Sequence, residues 1–134
     1  MSEKLDVVGI GNAMVDAIIP SNQSEIEKHE INRDSMNLID EGLKNNLHDS
    51  YSIREMAGGG SLGNSMFGIT SFGGNGSFIG KIKNDEIGIY LQKDMVREGL
   101  KFPLGFTSPD ISTGCCTIFA VSYTHLTLPT NDVV

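Results

Sequence analysis

The chain has 134 residues, enough for one modest domain, of which 39% are apolar, and it carries a formal net charge of −7. That charge argues against a nucleic-acid backbone or an anionic membrane surface as partner. No apolar run has the length of a membrane-crossing helix, and the opening MSEKLDVVGIG lacks a basic segment followed by a long apolar one, so no secretory leader is expected.

LDVVGIG (5–11) is a short apolar run ending in glycines and predicts a buried strand. AMVDAIIP (13–20) continues extended and stops at Pro20. SEIEKHEI (24–31) reads as a short helical turn and SMNLID (35–40) as a brief strand. Asp40 then caps a short helix running to about His48. Residues 61–72 are helical by position rather than propensity, because Gly63, Gly68, Ile69 and Thr70 all weaken a helix. Glycines there predict close contact with a neighbouring element. NGSFIGKIK (75–83) has strand character. NDEIGIYLQKDMVREGLKF is the clearest helix, capped by Asn84 or Asp85 and stopped by Gly99. Its apolar stripe is Ile87, Leu91 and Met95 with Tyr90 and Val96. STGCCTIFA (112–120) is again a strand. Strands alternating with helices predict an α/β sheet with parallel pairing, and the short extended pieces between 13 and 39 predict a small side sheet.

The two cysteines, Cys115 and Cys116, are adjacent. Strand neighbours point to opposite faces, so a disulfide between them is strained, and no second Cys or His pair stands at metal-ligand spacing. They read as small half-buried strand residues of a cytoplasmic protein without a metal site.

The stretch AGGGSLGNS (57–65) holds three consecutive glycines and a fourth at Gly63. GGGSLGNS almost fits a phosphate loop, but Asn64 stands where that loop needs its lysine, the charge that engages the transferred phosphate. Gly58, Gly60 and Gly63 also satisfy the dinucleotide pattern G-x-G-x-x-G, with Asp85 and Glu86 some distance on. That fingerprint belongs after the first strand, yet a long segment precedes it here; the earlier GIGNAM lacks the third glycine. A third reading joins the two segments. GIGNAMVD sets Asn12 and Asp16 just past the first strand, and AGGGSLGNS sets Gly59 and Gly60 at a helix entrance with Asn64 in its first turn.

In this arrangement the chain resembles the N-terminal half of the PfkB carbohydrate kinase family, in its adenosine-kinase-like branch. The resemblance rests on DVVGIGNAMVD, SMNLID, AGGGSLGNS, FGGNGSFIGKIKNDEIG and TGCCTIF in that succession, over residues 5–119. It implies a ribokinase-like, Rossmann-like three-layer α/β fold with a small β-strand lid, its strands within about 13–39 and 112–119. It implies ATP-dependent phosphorylation of the primary hydroxyl of a sugar or nucleoside, adenosine or ribose-like, with ATP and Mg²⁺ as cofactors of the full-length protein. Asp16 matches the carboxylate that accepts from vicinal hydroxyls. Asn12, Asn64, Gly59 and Gly60 complete the substrate side, and Met36 and Cys116 match apolar lid contacts. Leu62 and Met66 replace the family's small residues and Lys83 its frequent glycine, changes expected to reshape the pocket floor. The catalytic aspartate and nucleotide site lie in the family's C-terminal half, so a chain of this extent is expected to be inactive and to bind no cofactor. The alternatives are a non-catalytic polyol-binding module and a dinucleotide-binding oxidoreductase fragment.

VSYTHLTLPTNDVV (121–134) passes for a strand and turn. It resembles the conceptual translation of a transposase sequencing adapter, since GTC TCT TAT ACA CAT CTG ACG CTG CCG ACG spells VSYTHLTLPT. The expected division is therefore a truncated kinase domain over 1–119 and a foreign, adapter-derived tail over 120–134.

Overall fold

The computed structural model describes residues 4–121. Strand β1 (Val7–Ile10) leads through Gly11-Asn12-Ala13 into β2 (Met14–Ser21). Two short helices follow, α1 (Gln23–Lys28) and α2 (Glu41–Ser50), then β3 (Glu55–Gly59) and α3 (Ser61–Ser71). The described part is completed by β4 (Gly76–Ile79), α4 (Glu86–Arg97) and β5 (Gly114–Val121). β1 and β4 pair in parallel, and a three-stranded sheet has the order β3-β2-β5, with β2 antiparallel to β3 and parallel to β5. The fold is thus α/β with parallel and mixed pairing, as expected.

β2 shows the period of a half-buried strand. Val15, Ala17 and Ile19 are fully buried while Met14, Asp16 and Ile18 alternate on the other face. The inward face joins a core built from Ala13, Val15, Met66, Phe78, Ile82, Ile87, Leu91, Met95, Leu100 and Phe102. Phe78 and Phe102 stack at 6.1 Å between ring centroids. α3 lies on β1 and β4 because those strands offer bare backbone: a β-carbon on Gly11 would lie 2.6 Å from a Leu62 methyl, and one on Gly9 would lie 2.9 Å from the Met66 sulfur. Leu62 and Met66 therefore pack on strand β1, and Met66 is buried, so their size fills the strand–helix interface instead of reshaping a pocket floor.

Four expectations are corrected. The stretch 35–39 is not a strand; Ser35 Oγ and Asn37 Nδ2 both donate to the Asn32 carbonyl, a local turn that competes with extended pairing. Its place in the side sheet is taken by β3, which the glycines had disguised as a loop. β1 is only partly buried, with Val8 50% and Ile10 75% exposed, because α3 covers the face that carries Gly9 while the β1 side chains of the other face are exposed. Gly63 and Gly68 of α3 have open space where a side chain would go, so no neighbour demands them, and Val96 stands outside the stripe of α4. Ala120 and Val121 continue the β5 ladder against Pro20 and Ser21; the remainder of the expected tail, 122–134, lies outside the described residues.

Truncating Leu91→Ala at the centre of this core is expected to cost about 2–5 kcal/mol in urea unfolding. The open face of β1 is expected to drive self-association. Ile10→Lys should raise the monomer fraction in light scattering, and an unchanged distribution would place the adhesive surface elsewhere.

Candidate functional site

Asp16 projects from the outer face of β2, opposite Ala57 of β3 and Cys116 of β5 in the ladder. Two rungs along, on the same face, stand Gly59, Met14 and Gly114. The Asp16 carboxylate leans across onto Gly59: a β-carbon there would sit 2.6 Å from Cγ and Oδ2 and 2.7 Å from Oδ1. Any side chain at 59 would displace the carboxylate. Gly60 has a separate requirement, since its φ of +80° is the left-handed region that glycine adopts without penalty. It is the N-cap of α3 and supplies no capping side chain; its carbonyl accepts from the Asn64 N–H at 2.9 Å. Asn12 crosses above, its carbonyl oxygen 3.7 Å from where a Gly60 β-carbon would be.

Asn12, Asp16, Gly59 and Gly60 therefore meet where the β1–β2 connection passes the β3–α3 junction, and Asn64 follows one helical turn on, exposed. Such a set can hold a polyhydroxylated molecule. A carboxylate accepts from two hydroxyls at once, bare backbone lets a ring lie close, and amides both donate and accept. Met36 and Cys116 share a different space, a groove of about 590 Å³ lined also by Met14, Leu38 and Ile118 but not by Asp16 or Asn64. Cys116 touches both regions. Burial pushes its thiol up, and the Asp16 carboxylate beside it adds to the effect. Met36 is 85% exposed at the groove's rim. Gly58 and Gly59 end β3 and Gly60 follows it; β3 is an antiparallel neighbour of β2, which is not the parallel βαβ setting of a dinucleotide fold.

Sequence reasoning missed the residues that hold this junction. Asp94 is 6% exposed and its Oδ2 accepts from the Gly58 N–H at 3.0 Å, while Arg97 pairs with its other oxygen. Tyr90, one turn earlier, donates its hydroxyl to the Met56 carbonyl. The available signal was an acidic residue between Leu91 and Met95 at stripe spacing. At the start of the same helix Asp85 accepts from the Gly88 N–H at 2.7 Å and from the Thr113 N–H and hydroxyl at 2.9 and 2.7 Å, tying α4 to the start of β5. Burial works to raise the Asp85 pKa, but the Thr113 and Gly88 hydrogen bonds outweigh it and hold it below the ordinary 3.8. His48, bonded to Thr117 Oγ1 at 2.9 Å, is pushed below its ordinary 6.5 by burial and by Lys44, against Glu86 and Asp49.

Gly59→Ala is expected to destabilise by about 1–3 kcal/mol through overpacking, and by clearly less in an Asp16→Ala background. Additive costs in urea unfolding would show that the two residues do not touch. Both His48 and Asp85 have folded pKa values below their unfolded ones. Each contributes stability that is present above its unfolded value and lost as pH falls toward its folded one. Stability should decline first below about pH 6.5 and again below about pH 3.8. His48→Gln should remove the first limb and Asp85→Asn the second in pH-dependent thermal melts.

Comparison with protein-family models and with curated proteins returns no match. Among solved structures the chain is similar to adenosine kinase from Sinorhizobium meliloti, at 32% identity and a TM-score of 0.73, covering 89% of this chain and 36% of that one. A probable sugar kinase from Rhizobium etli is 29% identical with a TM-score of 0.70, over 87% of this chain and 36% of the other. Adenosine kinase from Schistosoma mansoni, solved with adenosine, has the same fold at 20% identity and a TM-score of 0.70, over 87% and 37%. The chain thus spans little more than a third of the length of these relatives. By its fold, by the succession of its motifs and by these likenesses, the chain belongs to the PfkB, ribokinase-like kinase family.

Proposed function

We propose that this chain is the substrate-holding part of an ATP-dependent kinase that phosphorylates the primary hydroxyl of a sugar or nucleoside, adenosine or ribose-like. The observation that carries the reading is the Asp16 carboxylate seated on the bare Gly59 backbone at the mouth of α3. In this reading Asp16 accepts from two vicinal hydroxyls, the Gly59–Gly60 ledge admits the ring, and Asn12 and Asn64 bond further hydroxyls. The S. meliloti relative, an adenosine kinase by name, supports a nucleoside, and the R. etli relative, a probable sugar kinase, keeps a free sugar in view. Met36 and Cys116, on the groove beside Asp16, fit the apolar cover that shields a bound polyol from water.

In this proposal ATP and Mg²⁺ are not held by the described residues. Asn64 replaces the lysine that a phosphate loop needs, and among the described residues no three His, Cys, Asp or Glu side chains are grouped to hold a metal ion. Those groups belong, in this proposal, to the portion of the longer kinases that the chain does not span. The contribution of these residues is to bind and orient the acceptor, the part of phosphoryl transfer that depends on positioning. Among the described residues no helix is long and apolar enough to cross a membrane, which is compatible with a cytoplasmic enzyme.

Titration calorimetry of the 134-residue chain with adenosine and with ribose tests the proposal. One of the two should bind, and Asp16→Asn should weaken that binding by about tenfold or more, since a charge-assisted pair of hydrogen bonds is lost. ATP-dependent phosphorylation by the chain alone is expected to be undetectable. Binding that survives Asp16→Asn unchanged would remove Asp16 from the site.

A further inference from the structure

Among the described residues β3 is an edge strand, with β2 on one side and no strand on the other. Its outward backbone groups should therefore be wet or paired with something else. Two of them are met by side chains one helical turn apart on α4. The Tyr90 hydroxyl donates to the Met56 carbonyl, and Asp94 Oδ2 accepts from the Gly58 N–H at 3.0 Å. Residues 56 and 58 are alternate positions on the strand, and 90 and 94 lie on one face of the helix, so the helix stands in for a missing strand. Asp94 is almost completely buried, and Arg97 neutralises it from the solvent side. The contact also fixes residue identity. A β-carbon on Gly58 would lie 2.9 Å from Asp94 Oδ2 and 2.8 Å from the Phe67 ring.

We propose that Asp94 is a positioning residue for the substrate ledge: it clamps the Gly58 N–H and thereby sets where Gly59 carries the Asp16 carboxylate and where Gly60 turns into α3. The three consecutive glycines then have three different causes. Gly58 makes room for Asp94, Gly59 makes room for Asp16, and Gly60 supplies the left-handed turn. A buried carboxylate that only glued a helix to a sheet would have any apolar residue of similar size as an equal or better substitute. One that holds a backbone N–H at a required place would not.

The consequence for ligand affinity rests on the proposed function; the geometry of the clamp does not. Asp94→Leu removes the acceptor and sets a bulkier apolar side chain in its place, whereas Asp94→Asn keeps both the volume and an amide oxygen for the Gly58 N–H. Amide hydrogen exchange of Gly58 to Gly60 should accelerate about tenfold or more in Asp94→Leu, beyond what its loss of global stability accounts for, and stay near wild type in Asp94→Asn. Binding of adenosine or ribose, whichever the wild-type chain takes, should weaken about tenfold in Asp94→Leu and be restored in Asp94→Asn. Asp94→Ala serves the same purpose if the leucine variant does not fold. Unchanged exchange at Gly58 to Gly60 in a folded variant lacking the acceptor overturns the clamp. Accelerated exchange in a protein that binds neither adenosine nor ribose upholds the clamp and overturns the functional reading.

Discussion

A carboxylate can lie against a neighbouring strand only where that strand has nothing projecting toward it. In this protein Asp16 meets that condition diagonally across the β2–β3 ladder, over Gly59, and much of the architecture makes it possible. β2 supplies the carboxylate on its outer face while Val15, Ala17 and Ile19 bind it to the core on the inner face. A slip of one residue in the β2–β3 register would exchange these roles and bury the charge, at a cost that no partner here could offset. The hydrophobic alternation of β2 and the position of the acid are thus a single specification.

The surroundings of this contact explain how a weak helix and a weak strand coexist beside it. β3, with glycines and alanine in its sequence, has little intrinsic strand preference. It is held by β2 on one edge and by Tyr90 and Asp94 on the other. α3 begins without a capping side chain and contains residues poor for helices, yet Met66 is buried in the core and Leu62 packs against it. α4 is the well-formed element, capped at Asp85 and anchored to Thr113, and it lends its order to the less regular strand. Stability flows from an ordinary amphipathic helix toward an irregular ledge, as expected where a site needs backbone that propensity alone would not maintain.

Much of this was legible in the sequence, and the exceptions have physical causes. The bounds of α4 followed from Asp85 and Gly99, and the extended stretch of β2 was read as stopping at Pro20, one residue short of its end at Ser21. SMNLID has the apolar pattern of a strand, but Asn32, Ser35 and Asn37 engage one another through side-chain and backbone groups, which pattern counting does not register. β3 was hidden because its state depends on residues far along the chain. Asp16, Gly59 and Gly60 were singled out by their motif, while the reason that each glycine is bare emerged only from what stands opposite it. Asp94 escaped notice because an acid within an apolar stripe is invisible to periodicity until its partner is known.

The packing of α3 on β1 has a wider meaning. Leu62 and Met66 occupy space that Gly9 and Gly11 leave open, so the residues on the two sides of this interface constrain one another's size. A chain in this family with compact residues on the helix can carry larger ones on the strand without altering the spacing of the layers. In this chain a larger residue at 9 or 11 would be accommodated only with smaller ones at 62 or 66, because the interface is already filled. Departures from a family pattern at 62 and 66 are therefore to be judged together with 9 and 11, as one exchange of volume.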